Sequence, residues 1–247
     1  MINIIKRSCE RLQVDSLDLV QFHWWDYNVG DYLEALKILQ ALKQQGLIQK
    51  IGLTNFNTQH LSRIVEEGRI EIESIQVQYS LLDKRPENGL IKYAKTHKIK
   101  VFCYGTLAGG FLTKKWLGKD QPNTLENRSL VKYQLIIDEF GGWEKFQQLL
   151  SVIVRIADKY QLSTIELITL YMLRYTEADS LILGISAGFH HNILHSLEGF
   201  TLSNEELGMI KQYSTAYLSG DVYDLERDFD TKHASIMRYN LNSSILD

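Results

Sequence analysis

The sequence predicts an α/β fold, a sheet of about five parallel strands covered by helices, and three observations predict it. Short apolar runs alternate with longer amphipathic ones from residue 17 to residue 217, the pattern of strand–helix units that build a parallel sheet. Two of the short runs close on polar residues, Phe22-His23 and Leu53-Thr54-Asn55, and ligands of such sheets bind outside the carboxyl ends of the strands. No internal repeat, low-complexity run or interdomain linker breaks the pattern, so residues 1–247 are expected to form a single domain.

The elements follow in order. Ile2, Ile5, Cys9 and Leu12 recur at helical spacing and predict an amphipathic helix over 2–12. A strand covers 17–23. Tyr32, Leu36, Ile38, Leu39 and Leu42 place a helix over 31–46 that stops at Gly46, a C-cap. A strand at 50–53 leads to Asn57-Thr58, the cap of a helix over 58–68. A strand at 73–79 leads to a helix over 87–97, and a strand at 99–104 ends in Cys103-Tyr104-Gly105. A long excursion containing Pro122 and Gly141-Gly142 precedes helices near 143–160 and 163–175. A last strand, 179–184, is followed by helices near 189–197 and 203–217, and the stretch from about 218 reads as an irregular tail.

Composition narrows the function. The net charge is −3 and the Lys and Arg residues are scattered, so nucleic acid is not an expected partner. No apolar run approaches the roughly 20 residues that a membrane span needs, and Met1-Ile2-Asn3-Ile4-Ile5-Lys6-Arg7 carries no signal-peptide core. A cytoplasmic location is expected. Cys9 and Cys103 are too few and too far apart for a disulfide framework. His190, His191 and His195 lack the other ligands of a metal site.

The stretch from Ser16 to Trp24 (Ser-Leu-Asp-Leu-Val-Gln-Phe-His-Trp) and the stretch Gly52-Leu53-Thr54-Asn55-Phe56 resemble the aldo/keto reductases, NADP(H)-dependent carbonyl reductases built on a TIM-type (β/α)8 barrel. The resemblance makes these strands the fourth and fifth of eight. An incomplete barrel is therefore expected, lacking the segment for the first three strands, since five strands cannot close a cylinder of eight. Both edges of such a sheet would carry unpaired backbone groups. An upstream extension, a second copy or another protein supplying the missing wall, and a decayed remnant patched by its own tail are the alternatives at this point.

The resemblance also assigns roles. His23 would orient and polarise a small carbonyl substrate, because a neutral imidazole can donate one hydrogen bond to a developing oxyanion. The family's acid is a tyrosine activated by a lysine paired with an aspartate; a phenol near its ordinary pKa of roughly 10 is a sluggish acid at neutral pH. Those three residues belong to the missing strands, so impaired turnover is expected. Thr54 and Asn55, in the family's Ser-Asn positions, and Gln76 would hold the nicotinamide carboxamide, and Tyr104 would stack on the ring. The loop from Gly105 through Leu107 and Gly110 resembles the family's Ser-Pro-Leu-Ala loop, whose backbone N–H groups approach the pyrophosphate. Gly105 replaces its serine and Thr106 its proline, so a looser loop is expected. Gly184 and Ser186, with His190 on the following helix, would hold the adenosine phosphate, while Ile193 and Leu194 replace a polar pair there. Trp24 and Trp25 would wall a substrate pocket or pack a lid, and Trp143 and Phe146 would pack the excursion. A non-catalytic nucleotide sensor or scaffold of the same fold is the alternative function.

Overall fold

The computed structural model describes residues 1–184 and 200–238. Its five strands are β1 (Leu17–His23), β2 (Ile48–Thr54), β3 (Ser74–Gln78), β4 (Lys100–Tyr104) and β5 (Ser180–Ile182). They form one sheet in the order β1-β2-β3-β4-β5, each strand beside its predecessor in sequence. The β1–β2 and β2–β3 pairs are parallel, as expected where helices of ten residues or so separate neighbouring strands. The chain divides into two compact units, Met1–Val77 with Pro86–Phe102 and Gln78–Arg85 with Cys103–Asp247.

The first unit contains α1 (Ile2–Leu12), α2 (Tyr32–Gln44), α3 (Thr58–Ser62) and α4 (Leu90–Thr96). Its helix ends follow from short-range chemistry. Asp31 caps α2 by accepting hydrogen bonds from the backbone N–H groups of Leu33 and Glu34. At the other end Gly46 takes φ 77°, and the N–H groups of Gly46 and Leu47 reach back to the carbonyls of Lys43 and Leu42, a Schellman closure that favours glycine. Asn57 caps α3 through the His60 N–H at 2.8 Å. The predicted helix over 58–68 changes character midway, becoming a π turn over Arg63–Glu67 that Gly68 closes onto the Arg63 carbonyl. A Cβ on Gly68 would lie 2.6 Å from the Ile64 carbonyl. Leu36, Leu39, Leu42, Ile48, Ile51, Leu53, Leu61 and Ile75 are the core. Of the four residues expected on one face of α1, Ile5 and Cys9 are buried while Ile2 and Leu12 stay exposed.

The second unit contains α5 (Arg128–Phe140), α6 (Gly142–Lys159), α7 (Thr164–Tyr175), α8 (Asn204–Tyr213), α9 (Val222–Arg227) and α10 (Lys232–Arg238). Helix α5 was not expected inside the excursion. Asn127 caps it through the Leu130 N–H, Gly141 ends it, and Tyr133, Ile136, Ile137 and Phe140 form its buried stripe. The tail expected to be irregular from about 218 carries α9 and α10. Each has a local start signal, Asp221 accepting from the Tyr223 N–H and the Thr231 hydroxyl accepting from the Ala234 N–H. The helix expected near 189–197 lies outside the described residues.

Candidate cofactor and active site

In the first unit the strand register decides which side chains meet. His23 pairs with Thr54, and Thr54 with Gln76, so these three residues form one row at the carboxyl ends of β1, β2 and β3. One step back, Phe22, Leu53 and Ile75 also pair and are buried. Because side chains alternate between faces with period two, the apolar row anchors one face and the polar row lies on the other. A further step back, Gln21, Gly52 and Ser74 pair. The Gln21 amide spans Gly52 to reach the Ser74 hydroxyl at 3.3 Å. A Cβ on Gly52 would lie 2.4 Å from the Gln21 Oε1 and 2.5 Å from the Ser74 Oγ. A polar layer thus lies directly beneath the His23 row.

Asn55 follows that row in the left-handed region, φ 59°, with its N–H donated to the Gln76 carbonyl at 3.0 Å. Asparagine tolerates this conformation better than most side chains. Thr54, Asn55 and Gln76 are half-buried and His23 is exposed, its ring 6.3 Å from that of Trp25. Trp24 packs its own loop: its indole N–H reaches the carbonyls of Asp26 and Val29, and its ring stacks on Phe22. Trp25 is the tryptophan beside His23.

In the second unit Tyr104 ends β4, its carbonyl accepting the Tyr79 N–H at 3.1 Å. Its hydroxyl is hydrogen-bonded to that of Tyr223, and the Tyr223 oxygen accepts the Gln78 N–H. Burial pushes the Tyr223 phenol well above its ordinary ionisation range. The Lys132 ammonium sits 5.6 Å from the centre of the Tyr104 ring and 2.5 Å from the buried Glu226 carboxylate. Tyr104 is therefore held at its hydroxyl and has a cation over its ring.

The loop after Tyr104 turns through positive φ at Gly105, Ala108, Gly109 and Gly110. Gly105, Leu107, Gly110 and Gly184 line one cavity of about 480 Å3, together with Ser129 and Tyr133 of α5. The fold thus brings together four of the residues that the sequence assigned to the nucleotide. Ser186 and His190 lie outside the described residues. The Tyr133 ring packs on Gly105 and Gly109 of this loop. A Cβ on Gly105 would meet the Tyr133 hydroxyl at 2.2 Å, and one on Gly109 would meet its ring at 2.7 Å.

Sequence reasoning missed a buried polar chain in this unit. The Gln78 amide donates to Asp83 at 2.9 Å, and Asp83 binds Arg85 through both carboxylate oxygens at 2.9 and 3.0 Å. Arg85 reaches Glu139 of α5 at 2.9 Å, and Glu139 contacts His233 of α10 at 2.7 Å. Burial opposes ionisation of Glu139, but the hydrogen bond to His233 and the charge of Arg85 outweigh it and hold the carboxyl below its usual range. Arg85 and Asp83, 2% and 1% exposed, are charges that a core tolerates only when paired. Closely spaced charged residues such as these give no sequence signal of burial. Tyr133 had one indirect signal, the missing side chain at Gly105. Trp143 and Phe146 pack with Phe111 and Trp116 as an aromatic cluster.

The chain belongs to the aldo/keto reductase family, whose model matches residues 1–215. It is 27% identical to aldo-keto reductase YhdN of Bacillus subtilis over 210 residues, 83% of this chain and 60% of that protein. It is 32% identical to flagellar radial spoke protein 5 of Chlamydomonas reinhardtii over 166 residues, 59% of this chain and 31% of that protein. The fold is shared with the aldo/keto reductase of Klebsiella pneumoniae solved in complex with NADP and acetate, at TM-score 0.63 and 20% identity. That match covers 88% of this chain and 66% of the other. The chain therefore spans from under a third to about two thirds of the length of these relatives, and its open five-stranded sheet agrees with an incomplete member of the (β/α)8 lineage. Among the described residues no helix is long and apolar enough to cross a membrane.

Proposed function

We propose that the chain is an NADP(H)-binding oxidoreductase of the aldo/keto reductase type that acts on a small carbonyl compound and is a poor catalyst as this chain alone. The observation that carries the reading is the single cavity shared by Gly105, Leu107, Gly110 and Gly184, residues from two distant loops to which the resemblance gives one ligand. The cavity suits a pyrophosphate. A Cβ on Gly110 would meet nothing within 4 Å, so the backbone there is open to close approach, and the neutral hydroxyls of Ser129 and Tyr133 stand beside it. Asn55 and Gln76 offer the donor and acceptor that an amide needs. When bound, the reduced nucleotide supplies a hydride. His23 would donate a hydrogen bond to the carbonyl oxygen as charge develops there. The row of His23, Thr54 and Gln76 contains no phenol or ammonium, so proton delivery is the step this chain supports least. The sheet order begins with β1 and ends with β5, and Ile2, Ile4 and Leu12 of α1 are exposed. A second copy or another protein covering an edge fits these observations.

Titration of the purified chain with NADPH, followed by tryptophan quenching and by calorimetry, tests the reading. Saturable binding with slow consumption of NADPH in the presence of an aldehyde such as methylglyoxal is the expected result. No binding at millimolar NADPH refutes it. Saturable binding without any turnover favours a nucleotide-sensing or scaffold role, a second reading supported by the likeness to a flagellar radial spoke protein.

A further inference from the structure

The cavity beside the glycine loop is lined by a side chain to which the resemblance gives no role, Tyr133. The residue is 7% exposed. Its position is specific. Its hydroxyl lies 2.2 Å from where a Cβ on Gly105 would stand, the place that a serine side chain would occupy in the loop this sequence resembles.

We propose that the Tyr133 hydroxyl is a phosphate-binding group of this chain, donating a hydrogen bond to a pyrophosphate oxygen of the nucleotide in place of the serine that Gly105 replaces. The assignment rests on the NADP(H) reading above and adds a residue to it. Tyrosine on α5 and glycine in the loop are then two halves of one exchange: the hydroxyl moves from the loop to the helix, and the loop gives up its side chain to admit the ring. The same geometry explains Gly109, where a Cβ would meet the ring at 2.7 Å. Among the described residues that line the cavity none is cationic, so a bound anion there depends on neutral donors, namely backbone N–H groups and hydroxyls. Burial, with the charges of Glu226 and Asp83, raises the ionisation of Tyr133 further above its ordinary range. The group is therefore a neutral donor at neutral pH.

The test is Tyr133→Phe, which deletes the hydroxyl and keeps the ring that packs on the glycines. Calorimetric affinities for inorganic pyrophosphate and for NADPH are compared between variant and parent, with melting temperatures recorded without ligand. The expected result is an unliganded melting temperature within about a degree or two of the parent and affinities for both ligands weakened roughly tenfold or more, the scale of a hydrogen bond to a charged acceptor. Unchanged pyrophosphate affinity overturns the proposal. So does a large drop in unliganded melting temperature, which would show that the hydroxyl serves the fold. A parent that binds pyrophosphate but not NADPH sinks the dinucleotide reading while a weakened variant still supports Tyr133 as an anion-binding group. A parent that binds neither overturns both.

Discussion

Gly52 shows how much of this site one missing methyl group decides. It sits in β2 with ordinary extended backbone, so conformation does not demand glycine there; space does. The Gln21 amide crosses it to reach Ser74, and that bridge is the layer on which His23, Thr54 and Gln76 rest. Gly52→Ala is expected to cost about 1–3 kcal/mol, the usual penalty of overpacking a filled interior. Thermal or denaturant unfolding measures it. Adding Gln21→Ala should recover part of the loss; two strictly additive effects would show that the crowding at Gly52 is not the cause. At the same scale, the polar strand ends His23, Thr54, Asn55 and Gln76 were legible as candidates because their types and spacing are local. That three of them share one row required the register. Tyr133 was signalled only indirectly, by the missing side chain at Gly105, since nothing within α5 marks which of its apolar positions faces a glycine loop.

Helices were legible where caps and periodicity agreed and illegible where a louder signal masked them. The boundaries of α2, α6 and α7 fall within a residue or two of expectation because capping residues and apolar stripes act over a single turn. Helix α5 was hidden by the flanking Pro122 and Gly141-Gly142, although Asn127 and its four-residue stripe are ordinary helix grammar. Helix α8 carries the clearest electrostatic consequence. Ser203 and Glu206 form a reciprocal capping box, and the Glu206 carboxylate also meets Lys159 at 2.6 Å and the Tyr160 hydroxyl at 2.9 Å. Burial would raise the Glu206 pKa, but these hydrogen bonds outweigh it and hold the carboxyl down to about 2. The folded pKa lies below the unfolded value near 4.5. The stabilisation is therefore fully present above about pH 4.5 to 5 and disappears as pH falls toward 2. Glu206→Gln should lose on the order of 2 kcal/mol at neutral pH and flatten the acid limb of the stability profile over that window. A variant with the parent's acid limb would show that Glu206 does not set it.

For the whole molecule the sheet is the constraint. Its order runs from β1 to β5 with each strand beside its predecessor, as in a wall of a barrel. Strand edges and the exposed apolar residues of α1 favour association over isolation. Light scattering is expected to give a mass above the 28.6 kDa of one chain; a monodisperse species at that mass would refute the expectation. Within the second unit, the chain of contacts from Gln78 through Asp83, Arg85 and Glu139 to His233 ties α10 to the strand that precedes Tyr104's own. Together with the Tyr223 hydroxyl, it makes the tail part of the scaffold around Tyr104.

The sequence by itself determined the order of strands and helices, most caps, and the polar residues at the strand ends. Those properties are set by interactions within a turn or between alternate residues, so a single chain read locally contains them. Only the tertiary structure decided the row of His23, Thr54 and Gln76, the Tyr133 ring in the space of the Gly105 side chain, and the bond from the Gln78 N–H to a hydroxyl 145 positions away. Each depends on register or close packing between distant segments, where the energy comes from excluding water and filling volume, and neither quantity can be read from residue types in a line.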